Sequence, residues 1–430
     1  MQVDVGRSAL LAVLLGALAF PASPSNNPLE KIAPPSRAEF GQQSIARGAS
    51  LAALGNCSGC HTVPDKPPYS GGVPVKTPFG TVYGSNITPE AGTGIGNWSE
   101  AAFVRAMREG IARDGRHLYP AFPYDHFTLA ASQDLSDLYA FVMTRAPVRA
   151  QAPRNRLAFP FNVRPLMAAW NGMFLDRRPF VPDATQTAQW NRGAYLTQGL
   201  AHCGACHTPR NALGAEQRDK ALAGGEAGGW YAPALNADSP SPQPWSEDQL
   251  VEYLRTGVAA RHAIAGGPMQ DVVANLARAS EADVRAIAVY VLSRMAPPGA
   301  ELAAATLRRA RSGLAGSALT YPADPAMQLG AAVYADACAS CHDLGRRAGS
   351  QGALRMPLAV ALYEPDPRSF LRIVREGVVP RYGEPGRWMP AYGKSLTDAQ
   401  LTALAAYLRS EAAQKPAWPQ LARVVAESTP

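Results

Sequence analysis

Cys57-Ser58-Gly59-Cys60-His61 decides how this chain is read, because the pattern returns as Cys203-Gly204-Ala205-Cys206-His207 and again as Cys338-Ala339-Ser340-Cys341-His342. Two cysteines separated by two residues, with a histidine directly after the second, form the attachment signal for c-type haem. The thiols add across the vinyl groups to give two thioethers on one helical turn, and the adjacent imidazole becomes the proximal iron ligand. The three motifs use all six cysteines of the chain. Disulfides would not need the histidine three times over, and a zinc site would need a second ligand pair at fixed spacing. The implied cofactors are three covalently bound haem c groups. Cys57, Cys60, Cys203, Cys206, Cys338 and Cys341 would attach them, with His61, His207 and His342 as iron ligands.

At 430 residues the chain is too long for one ordinary core, and the motifs lie 146 and then 135 residues apart. Length and repeat both point to three domains. Apolar residues make up 47% and charged ones 17%, which suits cores built around a bulky apolar cofactor. The formal net charge is +7. Haem propionates would add about six negative charges, leaving the loaded protein near neutral. With no clustered basic tract either, nucleic acid is not an expected partner.

The N-terminus reads as an export signal over residues 1–19: Arg7 precedes an apolar run from Ala9 to Phe20, and Ala17-Leu18-Ala19 offers small residues for cleavage. The run is too short to span a bilayer, and a retained short anchor is the alternative. Either way the haem domains would lie outside the cytoplasm, in the periplasm.

Each motif follows a helix with a glycine at a similar offset, eight to ten residues before the first cysteine, in Arg47-Gly48-Ala49, Arg192-Gly193-Ala194 and Leu329-Gly330-Ala331. A repeated missing side chain predicts two helices crossing closely. After each motif comes a loop and a second helix. Its start is marked by Ser99, by Ser246, and in the third repeat by Asp366 or Ser369. Gly110, Gly257 and Gly377 mark its end. A third helix closes each repeat, over 134–144, 281–294 and 397–410. No run of alternating strand residues stands out. The expected fold is all-α, with cytochrome c domains at 44–146, 185–296 and 322–412. A Pro-rich linker at 147–184, a second linker at 297–321 and a tail at 413–430 complete the chain. Trp170, Phe174 and Phe180 predict that the first linker is packed on a surface. The tail, with Trp418 and Val425, reads as a docking segment for a partner or membrane surface, or as a poorly ordered end.

An electron-transfer haem needs a sixth ligand, and methionine raises its potential. Met389 lies 47 residues after His342 and Met269 lies 62 after His207, both in Gly/Pro loops where such a ligand is needed. The first repeat breaks this pattern. Phe122 stands 61 residues after His61, and phenylalanine cannot coordinate iron. Three assignments stay open there: His126 as ligand, which is favoured; Met107 or Met143, both on helix faces; or a five-coordinate iron. Carbonyls near Pro64 and Pro209 are candidates to accept the proximal imidazole N–H. His202 and His262 read as solvated or structural rather than ligating, and His117 stays undecided.

These segments resemble class I-type cytochrome c domains. The chain as a whole resembles the triheme cytochrome c subunits of bacterial membrane-associated periplasmic dehydrogenases. The telling stretches run from Thr77-Pro78-Phe79-Gly80-Thr81-Val82-Tyr83 through Asn86-Ile87-Thr88-Pro89 to Gly94-Ile95-Gly96-Asn97-Trp98, with His207-Thr208-Pro209-Arg210-Asn211 further on. The form Pro120-Ala121-Phe122-Pro123-Tyr124, before Asp125-His126-Phe127, is most similar to the subgroup serving molybdopterin hydroxylases of aldehydes or N-heteroaromatics. The resemblance implies electron relay from a catalytic dehydrogenase subunit of molybdopterin, quinoprotein or flavin type. The acceptor would be ubiquinone or a soluble carrier, and the association with the membrane peripheral. Residues for dehydrogenase catalysis are not seen in the chain itself. The alternatives are a haem peroxidase with an open first iron and a free-standing soluble carrier.

Overall fold

The computed structural model describes residues 26–259, 261–314, 324–343, 347–348, 351–378 and 389–428. The segment 1–19 read as an export signal lies outside them. The described chain divides into two compact units. One runs to His202 and adds Arg278–Asp283; the other comprises Cys203–Ala277 and the residues from Val284 onward. Helix predominates, as expected, and no described strand exceeds four residues. Such short strands carry too few residues for alternation to show in sequence.

The first unit holds α1 (Gln42–Leu54), α2 (Cys57–His61), α3 (Glu100–Glu109), α4 (Tyr124–Phe127), α5 (Ser132–Met143), α6 (Leu166–Phe174) and α7 (Ala188–Gln198). Strands β1 (Pro74–Thr77) and β2 (Gly80–Tyr83) pair antiparallel, and β3 (Arg156–Leu157) adds to β2. Helix α1 buries Ile45, Leu51 and Leu54 against α5, and the crossing is as close as the glycine predicted. A Cβ on Gly48 would lie 1.9 Å from the Asp137 carbonyl oxygen. Beside that crossing Asp137 is fully buried, and Arg47 binds it through Nε at 2.6 Å and Nη2 at 3.0 Å. Ser44 and Gln133 also donate to its carboxylate. Burial pushes Asp137 upward, but these four bonds outweigh it and hold the carboxyl below its usual range. Ser99 caps α3 by accepting the Ala102 N–H, and Gly110 ends it with φ 65°.

The first linker is packed, as Trp170, Phe174 and Phe180 suggested. Trp170 is buried, Phe180 packs edge-on to Tyr195, and Asn86 Nδ2 donates to Val148 O at 2.7 Å. It also folds, into α6, where Asn171 Oδ1 accepts from the Tyr124 hydroxyl at 2.6 Å.

The second unit holds α8 (Gly204–His207), α9 (Glu247–Thr256), α10 (Pro268–Leu276) and most of α11 (Glu281–Arg294). There follow α12 (Ala300–Ser312), α13 (Pro325–Ala337), α14 (Ala339–His342), α15 (Arg368–Glu376), α16 (Asp398–Glu411) and α17 (Leu421–Glu427). Its strands form three antiparallel pairs: β4 (Gly225–Ala227) with β5 (Trp230–Ala232), β6 (Val258–Ala259) with β7 (Ala263–Ile264), and β8 (Arg347–Ala348) with β9 (Gln351–Gly352). Ser246 and Gln249 form a capping box at α9, and Thr397 and Gln400 form another at α16. Helix α13 crosses α16 at Gly330, whose Cβ would meet the Ala403 carbonyl oxygen at 2.3 Å.

Three expectations change here. Ser369 does not start α15; it lies inside the helix, while Asp366 accepts the Arg368 N–H at 2.9 Å. The second linker contains the helix α12, because its alanine-rich run has high helix propensity and nothing after Pro298 interrupts it. Over its described residues, 413–428, the tail packs on the core. Trp418 and Val425 are buried in the core, the Trp418 indole donates to Glu364 O at 2.8 Å, and Arg375 reaches Val425 O at 3.0 Å. No helix among the described residues is long and apolar enough to cross a membrane.

Candidate haem-attachment sites

Each motif forms a single short turn of helix, α2, α8 and α14, which sets its two cysteines and its histidine on one turn. In all three, Nδ1 of the histidine meets a backbone carbonyl: His61 with Ser85 O at 2.6 Å, His207 with Pro233 O at 2.7 Å, and His342 with Leu354 O at 2.7 Å. A carbonyl can only accept, so Nδ1 carries the proton and Nε2 keeps its lone pair. That tautomer is the one a metal-ligating imidazole needs. Desolvation lowers all three imidazoles from their ordinary value and keeps them neutral. It also pushes the Cys57, Cys203 and Cys338 thiols up to about 12. The accepting carbonyls are not those near Pro64 or Pro209. They follow their histidines by 24, 26 and 12 residues, without a common offset, and a backbone oxygen leaves no mark on sequence.

The loops that carry them are held tightly to the motifs. A Cβ on Gly84 would lie 1.8 Å from Cys60 O, and one on Gly225 would lie 2.4 Å from Cys206 O. Arg355 donates to His342 O at 3.2 Å.

Met389 pairs with Val378 through two backbone hydrogen bonds of 3.0 Å, and it packs on the core cluster that Cys338 also borders. Three residues on, the Tyr392 hydroxyl donates to Ala337 O at 2.8 Å, immediately before Cys338. Desolvation and the neighbouring Cys338 and Cys341 raise that phenol. Tyr392 therefore pins the methionine loop to the attachment motif, a role not visible in the sequence. Met269 opens α10, after Gly266 and Gly267. Both glycines lie close to the Trp230 ring, which a Cβ on Gly266 would meet at 2.9 Å and one on Gly267 at 2.3 Å, and Trp230 is on the strand that leads to Pro233.

In the first repeat the residue at the corresponding spacing is Phe122. Phe122 packs against Tyr124 and Phe127, with ring centroids 6.3 Å and 5.3 Å away. His126 is buried on α4, with Nδ1 2.6 Å from Gln198 O. Met107 and Met143 are buried on α3 and α5. His117, His202 and His262 have structural partners. Asn26 lies 3.0 Å from His117, Gly55 O lies 3.2 Å from His202, and Trp245 stacks on His262 at 3.7 Å.

This pairing of a cysteine–histidine turn with a carbonyl-held imidazole defines cytochrome c domains, which hold covalent haem c. Residues 45–146 match the cytochrome c family model, and residues 325–408 match that of cbb3-type cytochrome c oxidase subunit III. The fructose dehydrogenase cytochrome subunit of Gluconobacter japonicus is 36% identical over 87% of this chain and 81% of its own length. The gluconate 2-dehydrogenase cytochrome c subunit of Pantoea cypripedii is 36% identical over 93% and 90%. The chain belongs to this family of dehydrogenase cytochrome c subunits, electron-transfer components rather than catalytic ones. It is also 44% identical, over 98% of its length, to a nicotinate dehydrogenase subunit of Pseudomonas putida, and spans about a third (34%) of that relative.

Proposed function

We propose that the chain holds three haem c groups, one in each of three tandem domains at 44–146, 185–296 and 322–412. Through them it would relay electrons from a periplasmic dehydrogenase subunit to ubiquinone or another respiratory acceptor. The observation that carries this reading is the threefold repetition of an imidazole whose Nδ1 is held by a carbonyl and whose Nε2 is left for iron. When bound, each haem supplies a one-electron Fe(III)/Fe(II) couple. The chain's own residues set its terms. Cys57, Cys60 and their counterparts fix the macrocycle. The Ser85, Pro233 and Leu354 carbonyls would orient the imidazoles, and Met269 and Met389 would hold the second and third irons from the other side. At the first iron His126 is the candidate; its Nδ1 lies 2.6 Å from Gln198 O, the same kind of carbonyl contact that the proximal histidines make. Haem quantitation on the purified full chain tests the count: three equivalents are expected, and two would refute it.

For the partner we infer a molybdopterin dehydrogenase acting on an N-heteroaromatic substrate, on the likeness to the nicotinate dehydrogenase relative. A flavin-dependent sugar dehydrogenase is the second reading, favoured by the coverage of the fructose and gluconate relatives almost end to end. The complex is expected at the periplasmic face of the cytoplasmic membrane. Affinity purification from membranes, with metal and cofactor analysis of the co-purifying subunit, decides between them. Molybdenum supports the first reading, and flavin without molybdenum overturns it.

A further inference from the structure

Electron relay leaves Glu364 unexplained. The residue is buried at 4% exposure between the 3-10 turn Val360–Leu362 and α15, and among the described residues Oε2 has no hydrogen-bond partner. A buried carboxyl with an unused oxygen is costly when ionised. Arg409, on α16, directs Nη1 to the carbonyl oxygens of Leu362 and Glu364. Asp366 adds a like charge nearby, and it is itself bound by Arg368. Tyr231 on β5 and Tyr253 on α9 face the same carboxyl with neutral phenols that desolvation raises. Burial first, then Asp366, pushes Glu364 up to about 8, against the opposing pull of Ser369 and Arg409.

The path out of this pocket is specific. Ser369 Oγ is within hydrogen-bonding reach of the Glu364 carboxyl and donates to Tyr231 O at 2.7 Å. Two residues further along the same backbone, Pro233 O accepts the Nδ1 proton of His207. A hydroxyl has one hydrogen. With that hydrogen on Tyr231 O, Ser369 does not donate to Glu364, and the buried carboxyl is without that support for its charge. Once Glu364 ionises, the Ser369 hydrogen turns toward the carboxylate and Tyr231 O loses its donor. The charge on Glu364 is thereby linked to the segment that holds the middle proximal histidine.

We propose that Glu364 is a proton-binding site coupled to the middle haem, filling when that iron is reduced and emptying when it is oxidised. The inference rests on the reading of three haems given above. The balance is one electron from the dehydrogenase partner and one proton from solvent on reduction, and the reverse on oxidation. The carboxylate favours Fe(III) and its protonated form relatively favours Fe(II), so the midpoint potential falls as pH rises. The relay would then carry a proton with one of its electrons, which suits an acceptor of quinone class.

Potentiometric titration of the full holoprotein, from about pH 6 to about pH 10, tests this. One of the three components is expected to fall with pH. Glu364→Gln should make it flat, and Glu364→Asp should restore a slope. Ser369→Ala, which keeps the carboxyl, should weaken it. In the reduced-minus-oxidised infrared difference spectrum, a protonated-carboxyl band should be present in the parent and absent from Glu364→Gln. A slope that survives in Glu364→Gln overturns the proposal, as do three components without pH dependence in the parent. Mass analysis of the Cys203–His207 peptide separates the two readings. An unmodified peptide refutes the three-haem reading, whereas a haem-bearing peptide without the slope refutes only the role of Glu364. Should Glu364→Gln fail to fold, Ser369→Ala and Glu364→Asp carry the same test.

Discussion

The domain at 45–146 and the domain at 325–408 are built alike on one side of the attachment motif and differently on the other. On the proximal side both present a cysteine–histidine turn, an imidazole held by a loop carbonyl, and two helices crossing at a glycine. On the opposite side one offers Met389, pinned through Tyr392, and the other Phe122, packed among aromatics. The proximal side is held by backbone atoms, so it survives wide changes of side chain. On the proposed reading the opposite side depends on a single side chain, so one substitution would change the chemistry while the fold is kept. That is where repeated domains can acquire different potentials.

The crossings are the feature the two domains should share most strictly. Gly48→Val and Gly330→Val each push a side chain into a backbone carbonyl that no rotamer change relieves. Each is expected to cost about 3 kcal/mol or more. Thermal unfolding followed by circular dichroism measures this. A melting temperature within a degree or two of the parent for either variant would break the equivalence of the two crossings.

The ligand side should separate them. Met389→Ala is expected to remove half of the methionine–iron charge-transfer intensity of the oxidised protein, because only Met269 then remains. Phe122→Met should move the other way and raise that intensity by half, making the first site resemble the third. An unchanged spectrum in Phe122→Met would mean that the loop does not bring residue 122 over the iron. In the parent, intensity equal to three methionine-ligated haems would exclude His126.

What could be read beforehand follows the same divide. The motifs, the helix glycines before them and the caps at Ser99 and Ser246 are local patterns tied to side-chain identity, and they were legible. The carbonyls of Ser85, Pro233 and Leu354 were not, since any residue type supplies one and their offsets from the histidines vary. Ser369 misled because serine suits both a cap and a buried hydroxyl with a partner, and only the partner, Tyr231 O, decides between them. The tail misled because its apolar residues had no visible counterpart. Trp418 packs on Phe370 and bonds to Glu364 O, at separations no short-range pattern spans.

Asp137 gives a smaller difference, because it has no counterpart at the Gly330 crossing, where Ala403 stands. Asp137→Asn should cost about 2 kcal/mol by weakening the charge-assisted bonds from Arg47 and Ser44. Its folded-state value is depressed, so the stabilisation is present above the ordinary carboxylate range. It is lost as the pH falls through the lower folded value. In acid the parent and the variant should converge. A difference that persists there would assign the loss to packing rather than to charge.

The smallest effect tests the pin itself. Tyr392→Phe removes the hydroxyl that reaches Ala337 O, and Tyr124→Phe removes the one that reaches Asn171. Each deletes one hydrogen bond and should cost about 1 kcal/mol. Their spectra should nevertheless differ. Tyr392 ties the Met389 loop to the turn that carries Cys338, so its loss should broaden and weaken the methionine charge-transfer band. Tyr124 ties its loop to α6, away from the cysteines, so its loss should leave that band as it was. If both variants shift the spectrum equally, Tyr392 is only a stabilising contact. If only Tyr392→Phe does, a residue that never touches the iron sets how firmly its ligand is held.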